Sequence, residues 1–268
     1  MSETNFAPLD TRLLEAFDGG YALERYSIGA AYMGSHSHNT YVPKDDPDSI
    51  DDVDIMGVVI PPPRQSIGLR EWEHWTLQKD ELDAVFYSLR KLVGLLLKAN
   101  PNVVGLLWLK PDLYIHRHPA FIRLIEQRDI FSSKVAFDAF AGYATAQLKK
   151  MQSQAFQGYM GAKRKALVEK VGYDAKNAAH AIRLLRMGTE FLETGALRVF
   201  REEDAEEIRA IKRGEWTLEQ VQSEAGRGFE KAREAKERSR LPERPDFGAA
   251  EQALLDITLS VWRENKDI

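Results

Sequence analysis

The chain reads as an α+β protein, a small mixed-sheet core (residues 1–118) followed by an all-helical C-terminal domain (119–268). Three observations predict this. Short apolar runs bounded by Gly and Pro recur through roughly the first 115 residues, as buried strands do. Beyond Pro119, apolar residues recur at helical spacing almost to the end. At 268 residues and 44% hydrophobic composition, the chain can bury one large core or two modest ones.

Residues 26–33 form the first apolar run, which ends at Gly34. Residues 36–50 are polar and turn-rich, with Pro43 and Pro47, and read as a loop. Residues 52–60 form the second strand, stopped by Pro61-Pro62-Pro63, which cannot donate to a sheet ladder. Extended stretches are expected over 72–78 and 82–86, with a turn near Lys79-Asp80. Leu89, Leu92, Val93, Leu96 and Leu97 then give helical spacing over 88–98. Asn100-Pro101 has the form of a helix start and predicts a helix through Leu107. Amphipathic helices follow over 120–127, 133–152, 163–194, 202–211, 218–239 and 247–264, with breaks at Asp129, Gly158, Gly161, Gly195, Gly214 and Leu241-Pro242. No fixed-period repeat is evident.

Composition removes several functional classes. No apolar run approaches the roughly 20 residues that span a bilayer, and the first residues lack the order of a signal peptide, so a cytoplasmic protein without membrane partners is expected. There is no cysteine, which leaves carboxylate, water or imidazole to hold any metal. Net charge is only −4, but its distribution is uneven. Residues 1–60 carry eleven Asp and Glu against three Lys and Arg, while 149–186 carry nine Lys and Arg against Glu169 and Asp174. An acidic, metal-attracting part beside a basic, phosphate-attracting part suits the handling of nucleotides.

Strand alternation puts Asp52 and Asp54 side by side on one face. Two such carboxylates repel unless compensated, and a divalent cation is the usual compensation, so the pair reads as half of a metal site. Gly34-Ser35 precedes it; a glycine lets backbone amides approach phosphate oxygens closely, with a hydroxyl beside them. Nucleotidyl transfer needs two divalent ions about 4 Å apart, which calls for a third carboxylate. Asp83, at the start of an apolar strand, is the best candidate, with Asp80 and Glu81 as rivals.

The order Gly34-Ser35, Asp52-x-Asp54 and Asp83 resembles the DNA polymerase beta-like nucleotidyltransferase superfamily. Within it, Tyr87-Ser-Leu-Arg-Lys-Leu-Val, Lys98-Ala-Asn-Pro-Asn, Gly172-Tyr-Asp-Ala-Lys-Asn-Ala-Ala-His-Ala-Ile-Arg-Leu-Leu, Gly214-Glu-Trp and Leu241-Pro-Glu-Arg-Pro-Asp are similar to a branch of predicted nucleotidyltransferases associated with RNA repair and RNA ligase genes. The resemblance covers residues 25–260. It implies a nucleotidyltransferase core with an appended helical domain, two magnesium ions (manganese being an alternative) and an NTP substrate, with RNA as first choice of acceptor, a protein or small molecule as the runner-up, and a catalytically silent nucleotide- or RNA-binding protein as the other alternative. Asp52, Asp54 and Asp83 would then be catalytic metal ligands. One departure stands out: the interval from Ser35 to Asp52 is long, and its extra acids Asp45, Asp46, Asp48 and Asp51 leave open which Asp of the acidic run binds metal, though strand alternation favours Asp52 and Asp54.

The segment 172–186 can be read independently. Projected as a helix at about 100° per residue, Tyr173, Lys176, His180 and Arg183 fall within about 80° of one another, opposite Ala178, Ile182 and Leu185. With Lys170 they predict a nucleotide face, the cations for phosphates and the ring for stacking on the base. The basic loop 158–165 could close over phosphates or meet an RNA backbone. Three rival signals fail. The glycine spacing of Gly29 to Gly34 resembles a P-loop, but Ser35 stands where the obligatory Lys belongs. His36-x-His38 and His116-x-His118 lack a third zinc ligand. No serine sits in a nucleophile elbow.

Overall fold

Five strands, β1 (Ser27–Tyr32), β2 (Val53–Val59), β3 (His74–Lys79), β4 (Leu82–Ser88) and β5 (Tyr114–Arg117), make one sheet in the order β3-β4-β2-β1-β5. The computed structural model describes residues 23–42, 51–69, 71–79, 82–152 and 161–268. Asp45, Asp46, Asp48, Asp80, Glu81 and the start of the 158–165 loop lie outside the described residues. All neighbouring strands are antiparallel except β2 and β4, which run parallel from Val53↔Leu82 to Val59↔Ser88. Parallel neighbours need a long connection. Here it contains the short helix Pro63–Ser66 and the edge strand β3.

Small residues in β1 let a helix lie directly on the sheet. A Cβ on Gly29 would stand 2.6 Å from the Phe121 ring, so any side chain there would push off the helix Pro119–Glu126. One hydrophobic cluster runs from sheet residues Ile28, Met56 and Val58 through Leu92 and Phe121 to Leu184, Phe191 and Trp262. The sheet and the C-terminal helices therefore share a core. Trp262, on the last helix Phe247–Glu264, also donates its indole N–H to the Pro61 carbonyl at 2.8 Å, tying that helix to the chain just after β2.

The predicted elements hold with three differences. Residues 101–107 are not an α-helix: the Asn100 side chain accepts from the Asn102 amide at 3.0 Å, its carbonyl accepts from Val103 and Val104, and only a 3-10 turn, Val104–Leu107, follows. Asn satisfies nearby backbone donors in a tight turn as readily as it caps a helix. Strand β5 carried no alternation to betray it, and its pairing to β1 is what makes it a strand. The expected helix 163–194 is two helices, Ala162–Val171 and Ala175–Thr194. Gly172, at φ +82°, ends the first, and Asp174 caps the second by accepting from the Asn177 amide at 3.3 Å. No helix among the described residues is long and apolar enough to cross a membrane.

Trp262→Ala is expected to destabilise the fold by about 3–5 kcal/mol, and Trp262→Phe, which loses mainly the indole bond, by about 1 kcal/mol. Urea unfolding measures both, and equal costs for the two would show that the hydrogen bond rather than the packing holds the last helix.

Candidate active site

The ends of β1, β2 and β4 and the helix Ala175–Thr194 enclose a cavity of about 360 Å³. Its floor begins with Gly34. The Met33 amide donates to the Asp54 carbonyl at 2.8 Å, so the chain stays paired to β2 just beyond β1. Gly34 then turns at φ +57°, and a Cβ on it would stand 1.7 Å from an Asp54 carboxylate oxygen. Only glycine fits, on both conformation and space. Ser35 follows, with its hydroxyl oxygen buried and lacking any hydrogen-bond partner among the described residues. Parallel pairing sets Asp54 beside Asp83, and both line the cavity.

Lys176, His180 and Arg183, at helical spacing, line the same cavity from the helix side. Burial shifts Asp54, His180, Arg183 and Lys212 toward neutrality. The Asp54 carboxyl is pushed up from 3.8 to about 6, mainly by burial, with Lys176 opposing and Asp83, Asp52 and Asp51 adding to the rise. The His180 imidazole is held well below its ordinary value by burial and then by Arg183, Lys150 and Lys176. Arg183 is brought down to about 9 by burial and by Arg201, against a smaller pull from Asp204. Lys212 is lowered by burial, partly offset by its ion pair with buried Asp51.

The structure thus brings together Gly34, Ser35, Asp54, Asp83, Lys176, His180 and Arg183. It leaves out three residues expected with them. Asp52 is exposed just before β2 and does not line the cavity, although its charge reaches Asp54. Tyr173 is only 2% exposed and donates its hydroxyl to the Trp216 carbonyl at 2.7 Å, so its ring is not free to stack on a base. Lys170 is exposed at the end of the preceding helix, away from the cavity lining. The reason for the last two is common: both precede the cap at Asp174, so a projection on one continuous helix does not apply to them.

Asp51 also lines the cavity, but it is already engaged, accepting from the Val42 amide at 3.0 Å and pairing with Lys212. The paired histidines have structural roles. His116 contacts the Ser27 carbonyl at 3.0 Å, and His118 caps the helix that begins at Pro119. His36 stacks on Tyr41 at 4.0 Å, while buried His38 contacts both Val199 and Arg183. Sequence reasoning missed His38 and Lys212 as lining residues. Lys212 had a signal: it falls on the apolar arc of its helix with Ala205, Ile208 and Ile211.

As they stand, no three His, Asp or Glu side chains among the described residues group closely enough to hold a metal ion. The donor chemistry nonetheless fits a hard divalent cation. Carboxylate oxygens are the ligands magnesium takes, and a cation would offset the burial, and the smaller repulsion from Asp83, Asp52 and Asp51, that raise Asp54.

Carboxylates beside a cationic wall suit a ligand carrying both a metal and a phosphate chain, and the class defined by this fold and cleft is the nucleotidyltransferases. The chain belongs to the RNA repair pathway DNA polymerase beta family, whose model matches residues 33–237. The match starts at Met33 and takes in both carboxylate strands and the cationic helix. No curated protein sequence matches the chain. A crystal structure of a nucleotidyltransferase-like protein from Exiguobacterium sibiricum is similar over 89% of this chain and 74% of that one, with 14% identity and a TM-score of 0.28.

The raised Asp54 carboxyl makes stability depend on pH with a definite sign. A carboxyl that holds its proton more tightly when folded favours the fold at low pH, and that contribution disappears as pH rises through about 6. Without metal, Asp54→Asn is therefore expected to exceed wild type by roughly 2–3 kcal/mol at about pH 8 and to match it near pH 4. Urea unfolding at both values checks this, and a pH-independent difference would exclude a strained carboxylate.

Proposed function

We propose that this nucleotidyltransferase transfers a nucleoside monophosphate from an NTP to a hydroxyl at an RNA end, releasing pyrophosphate. The observation that carries the reading is the adjacency of Asp54 and Asp83 on parallel strands beneath Gly34, in one cavity with Lys176, His180 and Arg183. Asp54 and Asp83, joined by Asp52, would hold magnesium, and manganese suits the same oxygens. Bound there, the cation would neutralise phosphate charge and activate the oxygens on either side of the α-phosphorus.

The chain's own groups would do the rest. Gly34 and Ser35 hold the terminal phosphates by amide and by the hydroxyl that has no partner among the described residues. Lys176 and Arg183 take the remaining phosphate charge. His180, neutral through burial, both donates and accepts hydrogen bonds and suits the base or ribose better than a phosphate. The acceptor oxygen bonds to the α-phosphorus and its proton passes to an Asp83 carboxylate oxygen. The bond from the α-phosphorus to the β-phosphate oxygen breaks, and pyrophosphate leaves. The family's RNA repair designation supports RNA as acceptor. So do Lys149, Lys150, Lys163, Lys165 and Lys170, which are exposed on neighbouring helices and suit a phosphate backbone.

Incubation with magnesium, α-labelled NTPs and mixed RNA is expected to put label into RNA. Asp54→Ala and Asp83→Asn should each lower that transfer on the order of a thousandfold. Label found only on protein or on a small molecule would overturn the RNA assignment. Independently of activity, magnesium should raise the melting temperature of wild type at about pH 8 and not that of an Asp54→Asn, Asp83→Asn double variant. An equal rise in both would remove these carboxylates as ligands.

A further inference from the structure

Arg183 differs from the arginines around it. Arg186 is bound by Asp204, Glu207 and Glu224 at 2.6–3.0 Å, and Arg201 by Glu190 and Asp204 at 2.6–2.9 Å. Arg183 has no carboxylate partner among the described residues. One terminal nitrogen, Nη1, makes both of its contacts, to His38 Nε2 and to Met187 Sδ at 3.4 Å, so its other N–H groups remain for the cavity that Arg183 lines.

The imidazole that receives it is fixed on its other side. His38 is buried, and its Nδ1 lies 3.0 Å from the Val199 carbonyl. A carbonyl only accepts and a guanidinium only donates, so Nδ1 must carry the hydrogen and Nε2 must offer its lone pair. The ring is therefore neutral, in agreement with burial and Arg183 holding its pKa well below the ordinary value. The Arg201 amide donates to the His38 carbonyl at 3.3 Å, so the backbone beneath the ring is anchored too.

We infer that His38 is a positioning residue for nucleotide binding: its Nε2 lone pair holds the Arg183 guanidinium so that the free N–H groups meet the triphosphate. An acceptor without charge does this where a carboxylate could not. A carboxylate at position 38 would neutralise Arg183 and compete with the phosphates for it. The inference rests on the nucleotidyl-transfer reading, and on Arg183 serving the phosphates within it.

Two substitutions separate positioning from packing. In His38→Asn the side-chain amide can still donate to Val199 but leaves nothing at the Nε2 place. In His38→Gln the carbonyl oxygen reaches that place and can accept from Arg183. Equilibrium binding of each of the four common NTPs with magnesium is the readout, with melting temperature alongside. His38→Asn is expected to weaken NTP binding about tenfold or more, with His38→Gln close to wild type. In Arg183→Met, adding His38→Asn should weaken binding no further. Equal losses in the Asn and Gln variants, or additive losses with Arg183→Met, would overturn the inference. If Arg183→Met itself bound every NTP normally, the assignment of Arg183 to the phosphates would fail instead. Should His38→Asn not fold, imidazole nitrogen NMR of wild type and Arg183→Met decides. Loss of Arg183 must shift the His38 Nε2 resonance and leave Nδ1 protonated, and an unchanged Nε2 would overturn the inference.

Discussion

Three consecutive residues, His38, Asn39 and Thr40, turn their amides back to carbonyls of residues 34–36, and their own carbonyls are held by donors from residues 201–212. The His38 ring contacts the Val199 carbonyl, the Asn39 side-chain amide donates to the Arg201 carbonyl at 3.0 Å, Arg209 donates to the Asn39 carbonyl at 2.5 Å, and Lys212 donates to the Thr40 carbonyl at 3.0 Å. Backbone groups outside a sheet or helix must find partners when buried, and here the partners of the three carbonyls are supplied from over 150 residues away. This clasp follows directly on Gly34-Ser35, so it fixes the distance between the sheet's turn and the cationic helix. Lys212 adds Asp51, at the approach to β2, to the same anchor. Arg201 is held in turn by Glu190 and Asp204, which makes the clasp one end of a wider ionic network. Removing one member of a buried pair such as Asp51–Lys212 leaves an unpaired charge, so the network holds the cleft's shape more firmly than its surface bridges would suggest.

On the sheet side the constraint is steric. Asp54 can lie under the chain only because residue 34 lacks a Cβ, and it meets Asp83 only because β2 and β4 run parallel and in register. An antiparallel arrangement would carry the two carboxylates apart along the strands. The intervening hairpin strand β3 is what makes the parallel pairing possible.

How much of this was legible in the sequence depends on the range of the cause. β1 and β2 declare themselves because Gly34 and the three prolines end apolar runs locally, and Asp83 was found because it opens the next such run. Lys176, His180 and Arg183 were found by periodicity because they all lie inside one helix. Tyr173 was misplaced because Gly172 and Asp174 move the helix start past it, and a wheel projection assumes no such break. His38 and the Asp51–Lys212 pair depend on contacts across more than 140 residues of sequence, which no local pattern encodes. β5 is four residues long and owes its conformation to its neighbour β1.

The electrostatics of the cleft give the arrangement its sense. Burial pushes Asp54 up and His180, Arg183 and Lys212 down, so the charged forms of groups of both signs are each disfavoured. Direct pairing between Asp54 and Arg183 would relieve both, yet Arg183 is instead occupied by a neutral imidazole, and Asp54 has Lys176 as its opposing charge against Asp83, Asp52 and Asp51. On the proposed reading, a metal–triphosphate complex relieves the two strains at once, its cation meeting the carboxylates and its phosphates meeting the guanidinium. Either component alone answers only one side. By linkage, each then strengthens binding of the other, and the unfavourable charge of the empty cleft becomes selectivity for the complete substrate over free cation or free nucleotide.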